Sequence, residues 1–224
     1  MRGFPTLCCL CDASILPAEF GICAPCAADL PRNQPACPGC ATPMPENLHC
    51  PACQGSGRLP IDRVFALFRY DYPVNRLIQA MKYQSRPALA RFLGYRLATA
   101  IEDAGAVQSG CLLPVPIHPL RLAWRGYNQS IEIARPVAAR LGVPLLHSAI
   151  CRQRNTQPQA KLSPSRRRRN VAGAFRVRDK SLPDYVVIVD DVITSGATIF
   201  SLARALRIAG VRRVEAWALA RAGN

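Results

Sequence analysis

No stretch of this sequence holds the roughly 18 uninterrupted apolar residues that a membrane-spanning helix needs. Its first ten residues also lack the basic start and long apolar run of a secretory signal. Together these absences predict a cytoplasmic protein. Acidic side chains are scarce as well, with 14 Asp and Glu against 29 Lys and Arg. The imbalance is confined to one part of the chain. Residues 1–57 carry two arginines and four acids, whereas residues 58–224 carry 27 basic and 10 acidic side chains, a net of +17. Such an excess favours polyanionic partners or phosphorylated ligands. At 224 residues and 50% hydrophobic content, the chain is long enough for one solid core and a small appendage.

Cysteine is abundant and unevenly placed. Nine of the 11 cysteines lie within residues 1–57, and eight of these form C-x-x-C pairs: Cys8/Cys11, Cys23/Cys26, Cys37/Cys40 and Cys50/Cys53. Clustered pairs without a signal peptide point to metal rather than disulfides. Eleven residues separate the first two pairs and nine the last two. Two such knuckles facing each other give a tetrahedral thiolate site, which selects Zn²⁺. Sequential pairing yields a double zinc ribbon, and the spacing also allows interleaved pairing. With every paired cysteine used as a ligand, no open coordination position remains, so the module is expected to be structural or an adaptor. Cys9 and His49 read as bystanders. Prolines and short apolar pieces leave this region little core of its own, and metal is expected to supply its folding energy.

Gln54-Gly55-Ser56-Gly57 reads as a flexible junction, giving two expected domains, 1–57 and 58–224. Beyond it, strand and helix patterns alternate. Strands are predicted at 64–70, 111–115, 174–177, 186–189 and 214–219. Helices are predicted at 74–83, 88–104, 129–141 and 199–209, with Pro136 kinking or breaking the third. This alternation implies an α/β fold with a mainly parallel sheet flanked by helices, in which ligands sit beyond the carboxyl ends of the strands.

Residues 185–198 concentrate the chemistry. An apolar run, Val186 to Val189, leads into Asp190 and Asp191, and then into Val192, Ile193, Thr194, Ser195, Gly196, Ala197 and Thr198. Unpaired backbone N–H groups at a helix start favour a phosphate. Gly196 permits close approach or positive φ, and three hydroxyls add donors. Two carboxylates just before the loop can accept hydrogen bonds from ribose hydroxyls.

This string resembles the phosphoribosyl pyrophosphate motif of the type I phosphoribosyltransferases, in which four apolar residues, two acids and two more apolar residues precede a loop ending Thr-Gly-x-Thr. Only Ser195 departs from it, and it keeps the hydroxyl. The resemblance implies that Asp190 and Asp191 contact the ribose hydroxyls and that residues 194–198 bind the 5′-phosphate. It also implies a small hood over the sheet. Val115-Pro-Ile-His-Pro119, Arg125-Gly-Tyr-Asn-Gln129, residues 152–159 and Arg169-Asn-Val-Ala-Gly-Ala-Phe175 resemble the ComF family. Its members are phosphoribosyltransferase-like proteins tied to natural competence. With the cysteine module, this likeness spans nearly the whole chain. It implies phosphoribosyl pyrophosphate or a related phosphosugar as ligand, with Mg²⁺ accompanying it, and competence proteins or single-stranded DNA as partners.

The pyrophosphate end of the site is expected at the turn after strand 111–115. Lys82, at a helix end, reads either as an anion contact there or as a solvated cation. His118 reads as a turn residue. Arg125, Asn128 and Gln129 read as polar support of the site, or as the cap of a surface helix. Residues 152–178 hold nine basic side chains and no acid, including four consecutive arginines at 166–169. They read as a mobile loop that closes over substrate, as a nucleic-acid contact, or as a solvated basic face.

Overall fold

The structure is a computed structural model. It describes residues 6–15, 21–55, 59–84, 86–105, 110–155, 171, 173–179 and 181–223. Of the basic segment, residues 156–170 and 172 lie outside the described residues, as do residues 56–58 of the expected junction.

Four parallel strands form the central sheet: β3 (Arg63–Arg69), β4 (Cys111–Pro114), β7 (Tyr185–Ile193) and β8 (Arg213–Arg221), in the order β3-β8-β7-β4. β7 and β8 are rich in β-branched or small apolar residues, and β3 and β4 carry mostly larger apolar ones, as expected of strands covered on both faces. Alternate side chains divide between two layers. Val187, Val189, Trp217 and Leu219 pack on one face with α3 (Val74–Tyr83), α4 (Pro87–Asp103) and α6 (Gln129–Leu141). Val186, Ile188, Val214 and Ala216 pack on the other with α7 (Ala197–Ile208). A two-stranded antiparallel sheet, β5 (Ile150–Arg152) with β6 (Phe175–Val177), adds Ile150 and Phe175 to that second layer.

Three expectations are corrected. Strand β7 runs to Ile193 rather than stopping at Val189, because its pairing with β8 continues to Ile193↔Arg221. On its other side β4 ends opposite Val189, so the acid pair emerges where one neighbour has stopped and the other has not. Pro136 does not break α6, which is one helix from Gln129 to Leu141. Its ring is buried against α4, where a methyl on Gly94 would come within 2.6 Å of it and 2.5 Å of the Ile133 carbonyl oxygen. That close packing holds the turn at which proline withholds one N–H. The helix after the acid pair begins at Ala197, two residues before its expected start. A short helix, α5 (Pro119–Arg125), and strand β5 were not anticipated.

The cysteine-rich region carries strands β1 (Thr6–Leu7) and β2 (Ser14–Ile15) and single-turn helices α1 (Ala24–Ala28) and α2 (Pro51–Gln54). Ile15, Ile22 and Leu30 join the core with Leu67 and Phe68, so this part shares its apolar packing with the sheet. Among the described residues no helix is long and apolar enough to cross a membrane.

Candidate phosphosugar site and metal centres

Asp190 and Asp191 lie in the last part of β7, past the end of β4, and Asp190 meets the first turn of α6. The Ser130 hydroxyl donates to Asp190 Oδ1 at 3.1 Å, and the Asp191 N–H donates to the same oxygen at 2.9 Å. Lys82 Nζ, at the end of α3, lies 3.0 Å from Asp191 Oδ1. Burial and the adjacent Asp191 push the Asp190 carboxyl well above the ordinary carboxylate range, to about 7, against the opposing pull of Lys82 and Ser130. Burial works against the Lys82 ammonium, but the two carboxylates outweigh it and raise its pKa. The site therefore holds two acids and one cation, with Asp191 buried and Asp190 and Lys82 partly exposed.

The following turn is shaped for an anion. Gly196 caps α7 with φ +73°, a left-handed conformation, and no side chain caps the helix. A methyl at Gly196 would also fall 2.6 Å from the Phe200 ring. Phe200 N–H bonds back to Gly196 oxygen, whereas the first-turn N–H groups of the helix have no intrahelical acceptor. Among the described residues, Ser195 Oγ and Gln129 Nε2 are buried atoms without a hydrogen-bond partner. Thr194, Ser195 and Gly196 thus link the end of β7 directly to the first residues of α7, Ala197 and Thr198.

The rest of the site is held by α5 and α6. His118 caps α5, its Nδ1 accepting from Leu120 N–H at 3.3 Å, which agrees with its reading as a turn residue. Asn128 caps α6 by accepting from Ser130 N–H at 3.1 Å, and donates to Val115 oxygen at 3.0 Å. It is buried rather than on the surface, and it pins Ser130 to the turn after β4. Arg125 donates to Gln129 Oε1 at 2.9 Å and lies 5.7 Å from the Tyr83 ring.

Sequence reasoning did not single out Ser130, Arg121 or the buried Arg152. Arg152 lies over the Phe175 ring at 5.6 Å. Burial and the nearby charge of Arg121 lower its pKa to about 10, with Asp190 pulling the other way. The run Asn-Gln-Ser before an apolar helix signalled a capped start, but not that Ser130 would reach an acid 60 residues away.

The cysteines form two centres by sequential pairing. Cys8, Cys11, Cys23 and Cys26 gather in one, and Cys37, Cys40, Cys50 and Cys53 in the other, with all four sulfurs of each within 4.8 Å of one another. Tetrahedral Zn²⁺ at ordinary Zn–S lengths needs sulfurs roughly 3.8 Å apart. Cys11 and Cys23 stand at 3.7 Å, and Cys40 and Cys50 at 3.5 Å. In each centre a backbone N–H also donates to the first cysteine, Cys23 to Cys8 Sγ at 3.4 Å and Cys50 to Cys37 Sγ at 3.3 Å. Although burial raises both thiols, these and neighbouring N–H groups bring Cys8 and Cys37 down to about 6. Both centres fit structural zinc.

The double zinc ribbon domain family matches residues 3–54, and the phosphoribosyl transferase domain family matches residues 128–224. Similarity to curated proteins runs end to end. "Competence protein F" of Haemophilus influenzae is 30% identical, over 99% of this chain and 100% of its own length. The chain belongs to the ComF family. "DNA utilization protein YhgH" of Salmonella typhi is 32% identical over 99% of both chains. A "Hypoxanthine/guanine phosphoribosyltransferase" of Methanosarcina barkeri is 33% identical over 36% of this chain and 41% of its own. The ComF arrangement of a double ribbon before a phosphoribosyltransferase domain thus corresponds to the two thiolate centres and the parallel sheet.

Elemental analysis of the purified chain should give two zincs per molecule; one would contradict two independent centres. The elevated Asp190 pKa has a further consequence. A buried carboxyl whose folded pKa exceeds its unfolded value costs stability once it ionises, and the cost grows as pH rises from about 4 towards 7. Asp190→Asn should therefore melt higher than wild type at pH 8, with the gap closing towards pH 4. An equal gap at both pH values would contradict the burial of that charge.

Proposed function

We propose that this chain binds phosphoribosyl pyrophosphate, or a related phosphosugar, with Mg²⁺ at the 190–198 turn, in a role linked to DNA uptake or nucleotide metabolism. The observation that carries the reading is an acid pair, Asp191 buried and Asp190 partly so, followed by a helix start with a glycine cap and an orphan Ser195 hydroxyl. In it, Asp190 and Asp191 accept from the ribose hydroxyls while the 194–198 turn takes the 5′-phosphate. Lys82, paired with Asp191, sits towards the anionic end of the ligand, and Arg125 supports that end through Gln129. Mg²⁺, when bound, neutralises the pyrophosphate and orients it against the sugar. Transfer would break the bond between ribose C1 and the pyrophosphate oxygen, the electron pair leaving with pyrophosphate, and form a bond from C1 to a nucleophilic acceptor. The link to DNA rests on relatives named for competence and DNA utilization.

A non-catalytic adaptor that binds single-stranded DNA is the second reading, favoured by one surface feature. Trp124 and Tyr83 are 72% and 65% exposed, with ring centroids 6.4 Å apart. Arg125 stands beside Tyr83 on a domain of net charge +17. Exposed aromatics among basic groups provide stacking surfaces for unpaired bases.

Calorimetry with phosphoribosyl pyrophosphate and Mg²⁺, alongside single-stranded DNA titrations, separates the two. Asp190→Asn/Asp191→Asn should weaken the sugar ligand by about 100-fold, the loss of two charge-assisted hydrogen bonds, and leave DNA binding unchanged. A wild-type chain that does not bind the sugar ligand would contradict the proposal.

A further inference from the structure

Arg221 closes β8 and is only 5% exposed. Its guanidinium reaches two parts of the molecule at once. Nε donates to Cys40 oxygen at 3.1 Å, and Nη2 donates to Thr42 Oγ1 at 2.9 Å. Nη1 donates to the carbonyls of Ile193 and Ala222, at 3.1 and 2.9 Å, and to that of Thr194. Thr42 Oγ1 in turn lies 3.1 Å from Cys40 Sγ. One planar fork therefore bridges a cysteine knuckle of the second thiolate centre and the first residue of the 194–198 turn.

The chemistry makes this bridge sensitive to the knuckle. A buried guanidinium needs all of its acceptors, because each one lost leaves a desolvated donor. Cys40 oxygen and Thr42 Oγ1 belong to a knuckle closed by bonds from Cys37 N–H to Thr42 oxygen and from Ala41 N–H to Cys37 oxygen, and a tetrahedral metal on Cys37 and Cys40 would hold that knuckle together. Carbonyl oxygens of Ile193 and Thr194 then fix where the turn leaves β7. Lysine cannot replace the fork, since its ammonium is a point donor that cannot span both groups.

We propose that Arg221 is a positioning residue that couples the second thiolate centre to the 194–198 turn, so that zinc on Cys37, Cys40, Cys50 and Cys53 sets the order of that turn. The first centre has no such role, since its apolar neighbours belong to the α3 and α4 layer. The functional meaning rests on the phosphosugar reading: metal in the ribbon prepares the phosphate cradle, and by reciprocity an occupied cradle raises the affinity for that metal.

Hydrogen exchange on the zinc-loaded full chain tests the coupling without any ligand. Cys50→Ser/Cys53→Ser and Arg221→Lys should each speed amide exchange across residues 193–198 by at least about fivefold. Cys8→Ser/Cys11→Ser, which removes the other metal, should leave it unchanged. Arg221→Lys should also release zinc to a chelator faster from one centre only. Unchanged exchange at 193–198 after loss of the second zinc would overturn the proposal, as would an equal rise after loss of the first, which marks general loosening. Failure of wild type to bind phosphoribosyl pyrophosphate would defeat the phosphosugar reading and leave the exchange result standing.

Discussion

Two neighbouring carboxylates at the mouth of an apolar parallel sheet are costly to bury, and much of the structure around them is arranged to carry that cost. Like charges side by side in a low-dielectric setting repel, and each loses its water. The compensation comes from separate elements: Lys82 from the end of α3, Ser130 from the first turn of α6, and the backbone of β7 itself. Asn128 secures α6 to the turn after β4, so Ser130 stays in reach. The strand that delivers the acids is paired beyond them on one side only, which leaves them reachable from the other. A charge arrangement of this kind lowers the stability of the fold.

Much of this was legible because its chemistry is local. An apolar run, two acids and a hydroxyl-glycine turn occupy consecutive residues, and C-x-x-C knuckles announce metal sites by spacing alone. Alternating periodicity carried the parallel sheet and its helices. The parts that were not legible depend on contacts distant in the chain. Lys82 looked equally like a solvated helix end until the fold set it 3.0 Å from Asp191. Asn128 as a cap was foreseen, but its burial against Val115 was not. Pro136 was expected to kink or break its helix, and with close packing through Gly94 the helix runs unbroken past it. Arg221 gave no signal, since a terminal strand residue of basic type ordinarily faces solvent.

The ribbon and the sheet are tied together more closely than the flexible junction between them suggested. Ile15, Ile22 and Leu30 sit in the same apolar layer as the β3 side chains, and the Asn33 and Arg69 N–H groups bond across to Leu67 and Pro31. Arg221 adds a polar tie at the opposite face. The cysteine-rich region is thereby joined to the sheet by both apolar packing and hydrogen bonds.

The central claim is that the turn after β7 receives a sugar phosphate, with its hydroxyls on the acid pair. A crystal structure of the zinc-loaded chain with phosphoribosyl pyrophosphate and Mg²⁺ tests it most directly. The account predicts the 5′-phosphate against the backbone N–H groups of residues 195–198 and the ribose hydroxyls on Asp190 and Asp191. Ligand density elsewhere, with this turn left vacant at saturating concentration, would contradict it.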